Sequence, residues 1–133
     1  MTGRIGIGNG GGQARLDREL LLGMGTSELT TSTPFTDGVS TFVGVLASRL
    51  LDRLEATGTE LRTLALNDYQ VTIPIPEVRE FPILLALDRD GHPLSVRERG
   101  PLWVIYPWTQ HPDLDDRLRR QRSIWQLTRI EVA

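Results

Sequence analysis

A chain of 133 residues is long enough for one domain with a hydrophobic core and too short for two. Its formal net charge of −2 gives no electrostatic reason to expect nucleic acid or an anionic membrane as a partner. The absence of cysteine excludes disulfides, thiolate zinc sites, iron–sulfur clusters and thiol nucleophiles, and no apolar run is long enough for a membrane span.

The first half of the chain combines short strand patterns with two helix patterns. The glycines from Gly10 to Gly12 suit a hairpin turn, and Asp17 suits the N-cap of a short helix. Leucines recur at helical spacing from Leu46 to Leu54, and Gly58 follows as a stop. The predicted elements here are a strand over 4–9, a helix over 18–24, a strand over 28–31, a polar loop over 32–38, a strand segment over 41–43 and a helix over 46–56.

Three glycines near the N-terminus, Gly6, Gly8 and Gly11, satisfy the spacing G-x-G-x-x-G. A dinucleotide-binding fingerprint needs a full strand before it and a helix that opens at its last glycine, and only a few residues precede Gly6. The pattern therefore favours a glycine-rich turn.

The stretch 83–107 is predicted to form the centre of the fold. Ile83 to Leu87 and Leu102 to Tyr106 are continuous apolar runs bounded by turn residues, which is typical of strands buried on both faces. Asp90-Gly91 predicts a tight hairpin turn, because glycine tolerates a positive φ. The other predicted elements are strands over 61–66 and 70–75, one helical turn over 76–81, a helix over 113–120 and a closing strand over 124–132. This order predicts an α+β domain with largely antiparallel pairing.

Three segments together resemble a known family. They are Ser32-Thr33-Pro34 followed by Phe42-Val43-Gly44-Val45-Leu46, then Ala65-Leu66-Asn67-Asp68-Tyr69-Gln70-Val71-Thr72-Ile73-Pro74, and finally Leu85-Ala86-Leu87 through Gly91-His92-Pro93-Leu94 to Gly100-Pro101-Leu102-Trp103-Val104-Ile105-Tyr106-Pro107. From about Gly3 onward the chain resembles the molybdopterin-binding oxidoreductase domain of the sulfite oxidase family, in particular its small, single-domain bacterial members. The resemblance implies one such domain over 1–133, with layered mixed and antiparallel sheets and a few short helices, and it implies molybdopterin as the cofactor.

Two positions depart from the family pattern, and one matches it. In catalytic members a cysteine thiolate binds molybdenum, and its place in the motif falls at about Ser32. A neutral hydroxyl is a poor substitute for a soft thiolate on a high-valent metal. Trp103 stands where many relatives have an arginine that would help to hold the anionic cofactor. Tyr69 matches the tyrosine that the resemblance places beside the metal pocket.

The candidate binding residues are expected to surround a small pocket between the 32–37 loop and Tyr69, with Arg97 or Arg99 at its rim. Guanidinium groups suit anionic ligands, and these two arginines lie in a loop that joins two core strands. Asn67-Asp68 has two interpretations, a polar wall of the pocket or simply the connection between two strands. The candidate ligand- or cofactor-binding residues are Ser32, Thr33, Asn67, Asp68, Tyr69, Arg97, Arg99 and Trp108, with no catalytic and no metal-ligating residue assigned.

Other polar and aromatic residues have a structural interpretation beside a functional one. The arginines from Arg117 to Arg122 follow acidic residues on a short predicted helix, a pattern more typical of a solvated face than of a ligand site. His92 and His111 are too isolated for a metal pair and suit turns. Trp125 suits the core, whereas Trp108, in a loop, suits a pocket wall.

The leading hypothesis is a sulfite-oxidase-like domain that lacks the cysteine ligand of molybdenum and serves as a non-catalytic binding or sensory module for a small ligand, such as a pterin or an anion. An alternative is a molybdopterin-dependent oxidoreductase that retains the cofactor through non-thiolate contacts. A third hypothesis is an interaction domain that acts through its surface.

The expected partners are a small-molecule ligand and a protein in signalling or electron transfer, without nucleic acid or membrane insertion. The resemblance favours a periplasmic location. Because the N-terminus lacks the apolar core of a signal peptide, a cytoplasmic location is expected if Met1 is the native start.

Overall fold

Two five-stranded sheets and four short α-helices form the part of the chain that the computed structural model describes, residues 5–9, 12–16, 18–53 and 58–132. The strands are β1 (Ile5–Asn9), β2 (Gly12–Leu16), β3 (Ser27–Ser32), β4 (Val39–Leu46), β5 (Glu60–Ala65), β6 (Gln70–Pro74), β7 (Leu84–Arg89), β8 (His92–Pro93), β9 (Trp103–Ile105) and β10 (Leu127–Val132). The helices are α1 (Arg18–Leu22), α2 (Ala47–Arg53), α3 (Ile75–Glu80) and α4 (Arg117–Arg122), and Val96–Glu98 and Pro112–Leu114 form short 3-10 helices.

The first sheet has the strand order β2-β1-β10-β5-β6, and the second has the order β3-β4-β7-β8 with β9 also paired to β7. The described strand pairs are antiparallel except for β1 with β10, where Ile7 pairs with Ile130. The last described strand therefore lies between β1 and β5, inside the first sheet. This arrangement confirms the predicted α+β class with largely antiparallel pairing.

The central strands β7 and β9 are buried on both faces, as predicted. Leu85 and Leu87 pack into the main core, which joins residues of both sheets, whereas Leu84 and Ala86 pack into a second cluster around Phe42. Successive side chains of a strand point to opposite faces, so a continuous apolar run is what such a position requires. The second cluster also contains Trp103 and Ile105 of β9.

The turn after β7 also follows the prediction. Asp90 and Gly91 have φ values of 49° and 84°, as the two central residues of a primed hairpin turn require. The side chain of Asp90 accepts a hydrogen bond from the backbone N–H of Thr41 at 2.8 Å. This bond ties the hairpin to β4.

Gly44 explains one of the motifs that carry the family resemblance. A Cβ atom at this position would collide with the backbone of β7 at the carbonyl oxygen of Leu85. The register of β4 and β7 shifts between Val43 and Gly44, so the two backbones come unusually close at this irregularity. The glycine of the Phe42-Val43-Gly44 segment is therefore required for packing.

Two helix predictions have incorrect bounds. Leu46 belongs to β4, because it pairs with Leu84, and α2 begins only at Ala47. The end of the predicted helix over 46–56 lies outside the described residues from position 54. The predicted helix over 113–120 is divided, because Asp116 adopts an extended N-cap conformation between the 3-10 helix and α4.

Other predicted bounds also differ, and the largest difference is the strand segment predicted over 41–43, which is part of the eight-residue strand β4. The helix predicted over 18–24 ends at Leu22, and the strand predicted over 124–132 begins at Leu127 because Gln126 has a positive φ of 55°. The strand β1 leads into β2, so no helix follows it as a dinucleotide fingerprint would need. The predicted turn residues Gly10 and Gly11 and the predicted N-cap Asp17 lie outside the described residues. Within the described ranges no helix has the length and apolar character needed to cross a membrane.

Candidate functional site

A pocket of about 230 Å³, which we call the Tyr69 pocket, lies between the β5–β6 turn and helix α4. Its wall combines two aromatic rings and a guanidinium group with amide, hydroxyl and aliphatic side chains. The lining residues are Ala65, Asn67, Tyr69, Arg120, Gln121, Ser123, Ile124 and Trp125. The pocket therefore offers both ring surface and a positive charge.

The β5–β6 turn positions Asn67 and Tyr69 on the pocket. The side-chain oxygen of Asn67 accepts a hydrogen bond from the backbone N–H of Tyr69 at 3.2 Å, and Asp68 has a left-handed φ of 66°. The Tyr69 hydroxyl donates to the carbonyl oxygen of Gln121 at 3.3 Å and so spans from the turn to α4. Asn67 thus shapes the turn and also lines the pocket. Asp68 belongs to the turn and is exposed.

Arg120 supplies the positive charge of the Tyr69 pocket. Its Nε donates to the side-chain oxygen Oδ1 of Asp115 at 2.7 Å, and this contact raises the pKa of the guanidinium above its ordinary value. Among the described residues, no hydrogen bond uses the two terminal nitrogens of Arg120. These nitrogens can therefore bind a carboxylate or another oxyanion.

Helix α4 is held in place by a buried carboxylate on α3. Glu77, only 7% exposed, accepts hydrogen bonds from Arg119 at 2.6 Å, from Arg122 at 3.0 Å and from the hydroxyl of Tyr106 at 3.0 Å. Burial, and then the neighbouring Glu77, raise the pKa of Tyr106 far above its ordinary value, so its hydroxyl remains a donor. This network fixes the helix that carries Arg120.

Asp116 caps the first turn of α4. Its carboxylate accepts hydrogen bonds from the backbone N–H of Arg119 at 2.8 Å and from the guanidinium of Arg119 at 2.6 Å. The backbone hydrogen bond, and then the side-chain bond from Arg119, lower the pKa of the Asp116 carboxyl below its ordinary value of 3.8. The cap is therefore a charged group over the neutral pH range.

We expect Asp116→Ala to lower the free energy of unfolding at neutral pH by about 0.5–2 kcal/mol, the usual cost of losing such a cap. Because the folded pKa of this carboxyl is depressed, its contribution is present above the unfolded pKa and is lost as the pH falls through the folded value. Urea unfolding at neutral and acid pH, with the exposed Asp113→Ala as control, tests this. A difference that does not shrink in acid would contradict a role for the ionised carboxylate.

A second cavity of about 330 Å³, which we call the Ser32 groove, lies at the end of β3. Its lining residues are Ser32, Thr33, Pro34, Trp108, Thr109, Pro112 and Asp115. The hydroxyl oxygens of Ser32 and Thr109 lie 3.0 Å apart, and the backbone N–H of Ser32 donates to the Thr109 hydroxyl at 2.8 Å. Trp108 is buried at 4% exposure and its Nε1 has no partner among the described residues.

The residues predicted for one pocket lie in different places. Ser32, Thr33 and Trp108 line the Ser32 groove, whereas Asn67 and Tyr69 line the Tyr69 pocket. A third cavity shares Asp115 with the Ser32 groove and shares Arg120 and Gln121 with the Tyr69 pocket, and its wall also includes Phe35, Asp116 and Arg117. The predicted residues are therefore not gathered in one cavity, although the 32–37 loop reaches the wall of the Tyr69 pocket through Phe35, whose ring centroid lies 5.3 Å from that of Trp125.

The two arginines predicted for the pocket rim have different surroundings. Arg97 is exposed on a 3-10 helix. The guanidinium carbon of Arg99 lies 5.1 Å from the ring centroids of both Trp103 and Trp125. Arg99 thus contacts one residue of the Tyr69 pocket wall, Trp125, but does not itself line the pocket. Arg97 lines neither cavity.

Six of the eight residues that line the Tyr69 pocket are not among the predicted binding residues: Ala65, Arg120, Gln121, Ser123, Ile124 and Trp125. The sequence shows the arginine cluster from Arg117 to Arg122, but it does not show which of these side chains face the pocket. The structure divides them, because Arg119 and Arg122 pair with Glu77 whereas Arg120 lines the pocket. Arg119 and Arg122 are three residues apart and so lie on one face of the helix, and this spacing is the signal that could have separated them from Arg120. The two histidines lie apart: His92 is exposed on β8, and His111 packs edge-on against Phe81.

The residues present do not fit a molybdenum centre held by a protein thiolate. The sequence has no cysteine, and at the corresponding position the Ser32 hydroxyl contacts Thr109. Where the resemblance places a cofactor-binding arginine, Trp103 is fully buried and packs edge-on against Phe42 at 5.6 Å. Among the described residues, no three acidic or histidine side chains gather as a metal site.

The fold itself is shared with a solved structure. The crystal structure of the sulfane dehydrogenase SoxCD from Paracoccus pantotrophus matches with a TM-score of 0.71 and 17% sequence identity, over 98% of this chain and 38% of that chain. This chain therefore spans well under half the length of the protein that it matches. At this identity the likeness shows the fold alone, and it agrees with the expected α+β class. Comparisons with protein-family models and with curated proteins find no match.

Proposed function

We propose that this chain is a non-catalytic binding domain with a sulfite-oxidase-like fold, and that it takes a small aromatic anion in the Tyr69 pocket. The observation that carries this proposal is the composition of the pocket wall. Tyr69 and Trp125 provide ring surface, and Arg120 provides a guanidinium with two nitrogens that have no hydrogen-bond partner among the described residues. Rings stack on such surfaces, and a guanidinium pairs with a carboxylate in a fixed geometry.

The size of the pocket limits the ligand. Its volume of about 230 Å³ lies below the range of about 300–1,000 Å³ that is usual for drug-sized ligands. A compound with one small ring system and one acidic group suits this volume better than a complete molybdopterin cofactor. The proposed class is therefore a small aromatic carboxylate, within the broader expectation of a pterin or an anion.

The polar groups around the Tyr69 pocket suit ligand binding better than catalysis. The Ser123 hydroxyl donates to the carbonyl oxygen of Arg119 at 2.9 Å, so it is engaged in ending α4. The side-chain oxygen of Asn67 accepts the hydrogen bond of the β5–β6 turn, so its NH₂ group is left as a donor toward a ligand. Arginine stays protonated, so Arg120 is a poor general base.

The test is a thermal melt with benzoate as probe and benzamide as its neutral analogue. Because stabilisation follows occupancy, benzoate at ten times its Kd is expected to raise the Tm by about 3–6 °C. Tyr69→Ala and Arg120→Gln are each expected to remove most of that shift. Tyr69→Phe keeps the ring and is expected to keep most of it.

Arg117→Gln is the matched control, since it removes the same charge from the same helix at a residue that does not line the Tyr69 pocket. An equal loss in Arg117→Gln and Arg120→Gln would show that benzoate responds only to net charge. No shift with benzoate in the wild-type protein would refute the proposal. Stoichiometric molybdenum and a releasable pterin in protein purified from its native host would favour the oxidoreductase alternative instead.

A further inference from the structure

Arg99 does not line the Tyr69 pocket, but its guanidinium contacts a ring that does. The guanidinium carbon lies 5.1 Å from the ring centroid of Trp125 and also 5.1 Å from that of Trp103. Among the described residues, no hydrogen bond or ion pair engages this guanidinium. The two indole rings are therefore the partners that hold the cation in place.

Two hydrogen bonds from Gln126 fix the segment from which the Arg99 side chain extends. The backbone N–H of Gln126 donates to the carbonyl oxygen of Arg99 at 2.9 Å, and its side chain donates to the carbonyl oxygen of Val96 at 2.9 Å. Arg99 ends the 3-10 helix with a left-handed φ of 77°, where glycine or asparagine is usual. An unfavourable backbone conformation of this kind points to a role for the side chain.

The Trp125 ring needs contacts outside the pocket to keep one orientation. Phe35 packs edge-on against it at a centroid distance of 5.3 Å, and Trp103 packs edge-on at 6.4 Å. Trp125 is only half-buried, so freedom to change rotamer opposes a fixed wall. Arg99 supplies a third contact, and of the three it is the one that carries a charge.

We propose that Arg99 is a positioning residue for the Tyr69 pocket, and that it holds the Trp125 ring in the orientation that a ligand ring needs. This inference rests on the proposed function. A wall that is fixed before binding strengthens the complex, because its rotamers need not be ordered when the ligand arrives. Arg120 and Arg99 thus have separate roles. Arg120 pairs with the acidic group of the ligand, whereas Arg99 acts on the ring of the ligand through Trp125.

The experiment compares the binding of benzoate and of benzamide, by isothermal titration calorimetry, in Arg99→Gln and Arg97→Gln. Both variants remove one positive charge from the same short segment, but Arg97 contacts neither ring. Arg99→Gln is expected to weaken the Kd of both compounds by about three- to ten-fold relative to Arg97→Gln, as the strength of a cation–π contact allows. Arg120→Gln is expected to weaken benzoate alone, because benzamide has no charge to pair with.

Arg99→Lys tests the role of the cation itself. Lysine keeps the positive charge on a flexible chain that can lie over a ring, so this variant is expected to recover most of the lost affinity for both compounds. The near-ultraviolet circular dichroism of the ligand-free protein, which reports fixed aromatic side chains, is expected to weaken in Arg99→Gln and to recover in Arg99→Lys.

The outcomes distinguish this inference from the binding function. A loss confined to benzoate would overturn the inference, because Arg99 would then act as a distant charge and not through the ring. Equal Kd values in Arg99→Gln and Arg97→Gln, or a Kd in Arg99→Lys as weak as in Arg99→Gln, would overturn it too. These results leave the binding function standing if Tyr69→Ala still abolishes binding. Absence of benzoate binding to the wild-type protein would instead refute the binding function itself.

Discussion

Replacing Glu77 with glutamine is expected to lower the free energy of unfolding by about 3–5 kcal/mol, the usual cost of breaking a buried ion pair on one side. The carboxylate accepts hydrogen bonds from two arginines and a tyrosine, and it is 7% exposed. Glutamine has nearly the same shape but no charge, so the ion pairs of Glu77 with Arg119 and Arg122 would be lost, whereas Arg119 would keep its pair with Asp116. Urea unfolding, read by far-ultraviolet circular dichroism and by tryptophan fluorescence, measures the loss.

Tyr106→Phe is the matched comparison, because it removes one neutral donor to the same carboxylate and keeps both ion pairs. Its expected cost is smaller, about 1–3 kcal/mol, as for a hydrogen bond to a charged acceptor that leaves its partner buried. A Glu77→Gln variant that is no less stable than Tyr106→Phe would show that the ion pairs add nothing to holding α4. In that case the position of Arg120 would need another explanation.

Replacing Trp103 with arginine is expected to cost more than about 4 kcal/mol and to prevent accumulation of folded protein, since it would bury an unpaired charge. Trp103 is fully buried and lies among the rings of Phe35, Phe42 and Trp125. The guanidinium of Arg99, already 5.1 Å from the Trp103 ring, would repel the new charge. Soluble yield and chemical unfolding are the measurements.

Trp103→Phe keeps an aromatic ring and is expected to cost about 1–3 kcal/mol, because it leaves a cavity but no buried charge. A Trp103→Arg protein as stable as Trp103→Phe would contradict the assignment of this position to the second core cluster. It would mean instead that the site still accepts the basic residue that the family resemblance places there.

The sequence predicts the centre of this fold better than its helix ends. Strands β7 and β9 are buried on both faces over 84–87 and 103–105, and every side chain in these ranges is apolar. The continuous apolar runs in the sequence therefore identify these strands directly. The start of α2 is misplaced because the helical spacing of leucines includes Leu46, which pairs with Leu84 in a strand. Local periodicity cannot show which neighbour a side chain meets across the fold, so tertiary pairing decides such boundaries.

The site is predicted less completely for the same reason. The sequence makes Asn67 and Tyr69 candidates because turn chemistry and the family resemblance both mark that segment, and the structure places both in the wall of the Tyr69 pocket. Arg120 and Trp125 come from the other end of the chain and meet them only through folding. The arginines of α4 have similar sequence surroundings, and it is the pairing of Arg119 and Arg122 with Glu77 of α3 that distinguishes them from Arg120.

The parallel pairing of β1 with β10 has a consequence for biosynthesis. Because β10 lies between β1 and β5, the first sheet remains in two parts until residues 127–132 have left the ribosome. Contacts between such distant segments form slowly, since a long loop must close before they give any stabilisation. In nascent chains that stop short of this strand, the edges of β1 and β5 would be unpaired. Chaperones or other unfolded chains can then pair with these edges.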